Sequence, residues 1–262
     1  MKKTQKIILV GGDEANEASK VLGAYRVHTP GEIRDALRLE SNTIWVADVL
    51  PPLHEFAAMG RGRYRRDLLL FEPIDWLRRE VLGTMFDQIV APEKGVRMLS
   101  KEHALEVLAL ENRSDFLIGG VCDEHDDLLL LYRGDLERLT VPIRWFLGNP
   151  VATPDPSDLE IVDYGQGIRL GDYEAGTDTI LYEFDAEFRR RRKENQRELD
   201  ESLGGSLRRL RLMKGLTQDD FHPVTARTIR RIEQGEVDQP RSSTLEKIAT
   251  KLGVEPEEIA SF

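Results

Sequence analysis

The chain has 262 residues, 40% of them hydrophobic and 32% charged, with a formal net charge of −10. That length suits two domains or three small ones, and the composition excludes collagen-like, low-complexity and membrane-spanning classes. The single cysteine, Cys122, excludes an intrachain disulfide framework, and the short apolar run IILV before Gly11 falls far below a secretory core, so a cytoplasmic protein is expected.

From Lys6 to about Arg113 short apolar runs alternate with helical periodicity. KIILV, YRVH, TIWVADV, LLLF and QIV read as strands. Between them NEASKVLG, ended by Gly23, GEIRDALRLE, and the stretches Trp76 to Leu82 and Ser100 to Glu111 read as helices. Buried strands alternating with amphipathic helices predict an open, largely parallel α/β sheet over residues 1–113. The two glycines of ILVGGDEA match neither the dinucleotide fingerprint nor the phosphate loop, and Asp13 and Glu14 would repel a phosphate, so a plain turn is expected there.

Asp48 ends the third strand, and Pro52 stands four residues later. The segment resembles the receiver domain of bacterial response regulators, in which an aspartate at this place accepts a phosphoryl group. Such receivers also carry an acidic pair after strand one, a Ser or Thr after strand four and a Lys-Pro after strand five. The matching positions here hold Gly11-Gly12, Glu72 and Ala91-Pro92. Without those parts only Asp13, Glu14 and Asp48 remain to hold magnesium, so the resemblance implies a degenerate receiver-like scaffold used for contacts.

Residues 114–185 change texture. DFLIGGV and DLLLLYRGDLERLTVPIRWF are β-type runs with turn signals between them, and the rest reads as short strands and loops, a small α+β segment. CDEHDD, Cys122 to Asp127, has metal-ligand residue types, but neighbouring strand residues face opposite ways and no second ligand group lies at ligand spacing. A solvated hairpin turn is expected, and no metal, cofactor or catalytic site. Val141-Pro142, Trp145-Phe146, Ala152-Thr153-Pro154, Gly165-Gln166-Gly167-Ile168 and the acidic turn Asp172 to Glu174 resemble domain of unknown function 2442, often found beside a DNA-binding tail. Arg169-Leu170 departs from the tryptophan that family commonly carries.

Residues 186–202, AEFRRRRKENQRELDES, read as a solvated linking helix. Arg190 with Glu194 and Arg197 with Glu201 stand at pairing distance, and the basic run Arg189 to Lys193 can serve either as phosphate contacts or as an exposed face. Charge is segregated along the chain. Residues 1–185 carry 21 basic against 33 acidic side chains, and residues 186–262 carry 16 against 14. One end can therefore approach a polyanion while the other need not.

Residues 203–262 predict an all-α bundle of five short helices. The first ends at Gly215; Thr217 caps the second with Asp220 at N3; Thr225 caps TARTIRRIEQ, which stops at Gly235. Ser243 with Glu246 forms a capping box for the fourth, Gly253 stops it, and Pro256 opens the fifth. Leu207, Leu210, Leu216, Phe221, Val224, Ile229, Ile232, Leu245, Ile248, Leu252, Val254 and Ile259 fall at core spacing. With Val224, Ile229 and Ile232 inward, Ala226, Arg227, Arg230 and Arg231 face outward.

Gly215-Leu216-Thr217-Gln218, Thr225 to Gly235, and Leu245-Glu246-Lys247-Ile248-Ala249 with Leu252-Gly253-Val254 resemble the Cro and C1 repressor class of helix-turn-helix domains, the Xre family. The interval from Gln218 to Ile229 is shorter than that family's by about a turn, which implies truncation at His222-Pro223. The resemblance implies a third helix in the major groove of double-stranded DNA, with Ala226, Arg227 and Arg231 at base edges and Gln218, Thr225, Thr228 and Arg230 on phosphates. It further implies a dimeric, sequence-specific transcriptional regulator rather than an enzyme, with residues 1–185 for sensing, dimerisation or a protein partner. The alternative is an antitoxin-like interaction module whose DNA-binding tail feeds back on its own expression.

Overall fold

The computed structural model describes residues 5–11, 24–47, 62–148, 154–198, 200–237 and 239–261. They divide into two compact units, Met1–Ala186 and Glu187–Phe262. Asp13, Glu14, Asp48, Pro51, Pro52, the expected helix ending at Gly23 and the motif residues Ala152 and Thr153 lie outside the described residues.

The first unit opens with five parallel strands, β1 (Lys6–Val10), β2 (Tyr25–Val27), β3 (Thr43–Ala47), β4 (Arg66–Leu70) and β5 (Gln88–Val90), in the order β2-β1-β3-β4-β5. This is one of the two common orders of doubly wound α/β sheets. Its centre is apolar on both faces because alternate residues point opposite ways. Ile8, Trp45 and Leu68 join one core with Ile33 and Leu37 of α1 (Pro30–Leu37) and Leu82 of α2 (Trp76–Gly83). Ile7, Leu9, Ile44, Val46 and Leu69 join the other with Ala104, Val107 and Leu108 of α3 (Lys101–Ala109). Helix starts follow their caps: Thr29 and Glu32 form a capping box on α1, Asp75 accepts from Arg78 N, and Ser100 accepts from His103 N.

The second core does not stop at Arg113. Strand β6 (Val96–Met98), which no apolar run in the sequence announces, pairs antiparallel with β7 (Leu117–Asp123), and β8 (Leu128–Arg133) and β9 (Arg138–Pro142) extend that sheet. Ile118 and Tyr132 of this sheet belong to the core beneath β1 and β3. Residues 1–113 and 114–185 are therefore stitched into one unit by a shared sheet and a shared core. The CDEHDD stretch is the β7–β8 hairpin turn, in which the Asp123 carboxylate accepts from the N–H groups of His125 and Asp126. Burial and the surrounding carboxylates push the Cys122 thiol up.

A second antiparallel sheet follows, β10 (Leu159–Val162), β11 (Gly167–Leu170) and β12 (Tyr173–Gly176). The expected strands and loops then give way to α4 (Thr177–Phe184). Thr177, Ile180 and Leu181 are buried at i, i+3 and i+4, so the apolar run TILYEF follows a helical period rather than a strand's. Asp185, at the end of α4, takes a 2.7 Å bond from the buried Arg133 guanidinium.

The second unit holds α5 (Ala186–Glu198) from Glu187 onward, α6 (Leu203–Met213), a 3-10 turn at Gln218–Phe221, α7 (Ala226–Glu233), α8 (Ser242–Leu252) and α9 (Pro256–Ser261). Leu207, Leu210, Phe221, Val224, Ile229, Ile232, Ile248, Leu252 and Ile259 are buried together, with Leu216, Leu245 and Val254 packed against them. Among the described residues no helix is long and apolar enough to cross a membrane.

One buried acid at the start of β4 gives the first unit a pH dependence. The Asp67 side chain is fully buried and takes two bonds from Arg65 Nε, at 3.0 and 2.8 Å, and one from Gln5 Nε2 at 3.2 Å. Burial outweighs the pull of Arg65 and lifts its carboxyl from 3.8 to about 6. The folded state thus holds a proton that the unfolded chain has already released, and this contribution to stability declines as pH rises from about 4 to about 6. Denaturant titrations across that window should show Asp67→Asn lacking part of the wild-type slope, on the order of 1 to 3 kcal/mol in total; identical slopes would refute the assignment.

Candidate nucleic-acid interface

The outward arginines stand on α7, whose ends are set locally. Thr225 is extended and its hydroxyl accepts from Thr228 N at 3.2 Å. Gln234 closes the helix, and Gly235 follows in the left-handed region at φ 71°, where a side chain would be strained. Ile229 and Ile232 are buried to within 1%, which ties one face of α7 to the core.

Ahead of α7 the expected second helix is shortened. Thr217 and Asp220 form a capping box, yet only the single 3-10 turn Gln218–Phe221 follows. His222, at φ −47° and ψ 133°, leaves the helical region, as suits a residue before proline, and Pro223 supplies no N–H to continue a helix. The Thr217 hydroxyl and N–H hold the Asp220 carboxyl below the usual carboxylate range. The capping box expected at Ser243 and Glu246 does not form. The helix starts two residues earlier, because Thr244 N and Leu245 N bond the carbonyl of Arg241, which caps α8 without a side-chain bond.

Beneath α7 lies a buried ion pair that the capping and core pattern alone does not predict. Arg211 of α6 donates from Nε and Nη2 to the two carboxylate oxygens of Glu233, at 2.6 and 3.1 Å, and from Nη1 to the Leu216 carbonyl at 2.9 Å. Their side chains are only 9% and 4% exposed. Gln218 Nε2 adds a 2.7 Å bond to Glu233. The signal for this pair is present in the spacing. Arg211 stands four residues after Leu207 and one after Leu210, and Glu233 stands four after Ile229 and one after Ile232, so both fall on core-facing positions. Gly204 admits the approach of the two helices, since a Cβ there would meet the Ile232 carbonyl at 2.2 Å.

Each expected contact residue has a definite place. Arg227, Arg230 and Arg231 are exposed, Ala226 and Thr228 half-buried. Glu233 is taken by Arg211 and Gln218, so it does not neutralise the outward arginines. Arg231 Nε pairs with Glu236 at 3.0 Å, with both side chains about half exposed, an arrangement worth at most about 1 kcal/mol. Among the described residues no carboxylate pairs with Arg227 or Arg230; Asp238 lies outside them. Of the expected phosphate contacts, Thr225 holds its own cap and shares a 2.9 Å hydroxyl contact with Thr228, Gln218 is bonded inward to Glu233, and Arg230 borders a cleft of about 270 Å³ with Arg208 and Gln234.

Residues 202–262 match the family model described as a helix-turn-helix domain. The C-terminal unit holds a helix-turn-helix domain. Searches of curated proteins and of solved structures returned no match for the chain. Within the helix-turn-helix domain, a helix with three exposed arginines is set on a buried charged anchor.

The anchor yields a prediction about stability. Arg211→Met leaves Glu233 buried without its partner and should cost about 3 to 5 kcal/mol, read as lost amide-exchange protection over α6 and α7. The double substitution Arg211→Met with Glu233→Met should recover most of that loss. A single substitution that leaves α7 exchange unchanged would show that the pair anchors nothing.

Proposed function

We propose that the chain is a sequence-specific DNA-binding transcriptional regulator of the Xre type, acting as a dimer and entering the major groove with α7. The exposed arginines of that helix carry the reading: Arg227 and Arg230 have no carboxylate partner among the described residues, and the Arg231 partner is weakly held. A guanidinium presented in this way can bond guanine O6 and N7 together, and Arg231, held at Nε alone, keeps its Nη donors for the same contact. Arg227 and Arg231 read bases, Ala226 approaches a thymine methyl, and Thr225, Thr228 and Arg230 meet phosphates. Gln218 meets a phosphate by leaving or sharing its bond to Glu233.

In this reading the acidic residues 1–185 serve sensing, dimerisation or a protein partner and repel DNA, which confines contact to the tail. Their first part keeps a receiver-like strand order and their middle part the character of domain of unknown function 2442. The protein works by binding and not by catalysis, in the cytoplasm.

Selection of bound fragments from a random duplex pool tests the proposal. Wild type should enrich one short site, with half-sites about 34 Å apart for a dimer. Arg227→Ala and Arg231→Ala should each lose about 1 to 3 kcal/mol of discrimination at one base position. An unenriched pool, or identical sites from wild type and both variants, would refute it.

A further inference from the structure

The basic helix α5 precedes the helix-turn-helix domain. It spans Ala186–Glu198 and carries six basic and three acidic side chains, in a protein of net charge −10. Its basic residues Arg189 to Lys193 are consecutive. At 100° per residue such a run sets like charges at i, i+3 and i, i+4, Arg189 with Arg192 and with Lys193, an arrangement that disfavours an isolated helix. One residue beside the run is buried, Phe188, with the Arg191 guanidinium over its ring at 5.7 Å. Arg190, Arg192 and Lys193 are exposed. The Arg190–Glu194 pair is 3.9 Å apart with side chains 68% and 54% exposed, too open to hold Arg190 away from a stronger acceptor. The helix thus keeps a net excess of positive charge on an open surface.

The tether to the helix-turn-helix domain is short. Three residues separate Glu198 from Ser202, the cap of α6, and one of them, Asp200, is bonded to that helix. The Asp200 carboxylate accepts from Ser202 N at 3.0 Å, and its carbonyl accepts from Arg209 Nη1 at 2.5 Å. At 1.5 Å rise per residue, Lys193 lies about 8 Å and Arg190 about 12 Å along the helix from its end. Duplex DNA carries a negative charge about every 1.7 Å along its axis, so side chains tethered this closely to a domain seated in the groove can meet flanking phosphates.

Resting on the DNA-binding reading, we infer that α5 is a second DNA-contacting element, which grips the phosphate backbone beside the site read by α7 through Arg190, Arg192 and Lys193. The occupant is duplex DNA because the charge is positive, unpatterned and continuous in sequence with the reading domain. It contributes affinity without sequence preference.

The test is binding of the full chain to the selected duplex and to a scrambled duplex of equal length, by fluorescence anisotropy from about 50 to 200 mM salt. The triple variant Arg190→Gln, Arg192→Gln and Lys193→Gln retains good helix formers. Its slope of log affinity against log salt should be shallower than wild type by about 2 to 3, at about 0.9 per phosphate. The loss at low salt should be tenfold or more and equal on both duplexes, with the ratio between them kept. The charge-preserving variant Arg190→Lys with Arg192→Lys should keep the wild-type slope. An unchanged slope in the triple variant, or a lysine variant that loses it too, would overturn the inference while leaving α7 as the reader. Failure of wild type to bind either duplex would instead overturn the DNA-binding reading itself.

Discussion

The bidentate contact between Arg211 and Glu233 is the constraint on which the C-terminal unit depends. A buried carboxylate is tolerated only when opposite charge and hydrogen bonds replace the water it has lost, and here Arg211 and Gln218 do so together. Because Arg211 also holds the Leu216 carbonyl, one guanidinium fixes the end of α7, the chain leaving α6 and the turn that follows. The isoleucines of α7 hold it to the core through apolar contact, which has no hydrogen-bond direction. A planar pair with two parallel bonds does have one, and it sets the orientation in which the outward arginines are presented.

That anchor also separates two populations of charge on a single short helix. Glu233 is consumed inside, so the acid nearest the arginines in sequence is withdrawn from them. Among the described residues Arg227 and Arg230 have no carboxylate partner, and Arg231 is held only by an exposed pair that a stronger acceptor can displace. The excess of acid lies ahead of this domain: residues 1–185 carry 21 basic against 33 acidic side chains, and residues 186–262 carry 16 against 14.

Much of the fold is legible in the amino-acid sequence wherever one physical rule acts alone. Strands β1, β3 and β4 stand out as apolar runs because both their faces are buried, and Thr225 with Gly235 marks α7 because capping chemistry is local. Legibility ends where distant segments decide. Strand β6 has three residues of mixed character, and only pairing with β7 makes it a strand. The Ser243 box is out-competed by backbone bonds to Arg241, and the second helix of the tail is cut to one turn by Pro223. In the candidate site, the inward isoleucines reveal the exposed arginines. Their anchor is harder to see because arginine and glutamate ordinarily face solvent, although the spacing of Arg211 from Leu207 and of Glu233 from Ile229 puts both on the buried face.

Contact between α7 and guanine edges in the major groove, as proposed, can be read out by methylation interference. Dimethyl sulfate blocks guanine N7 on the major-groove side and adenine N3 on the minor-groove side, so the two grooves report separately. Binding of the full chain to its selected site is predicted to be lost on methylation of one or two guanines per half-site, with adenine methylation tolerated. Interference at adenines alone, or at no base, would contradict a helix that reads through the major groove.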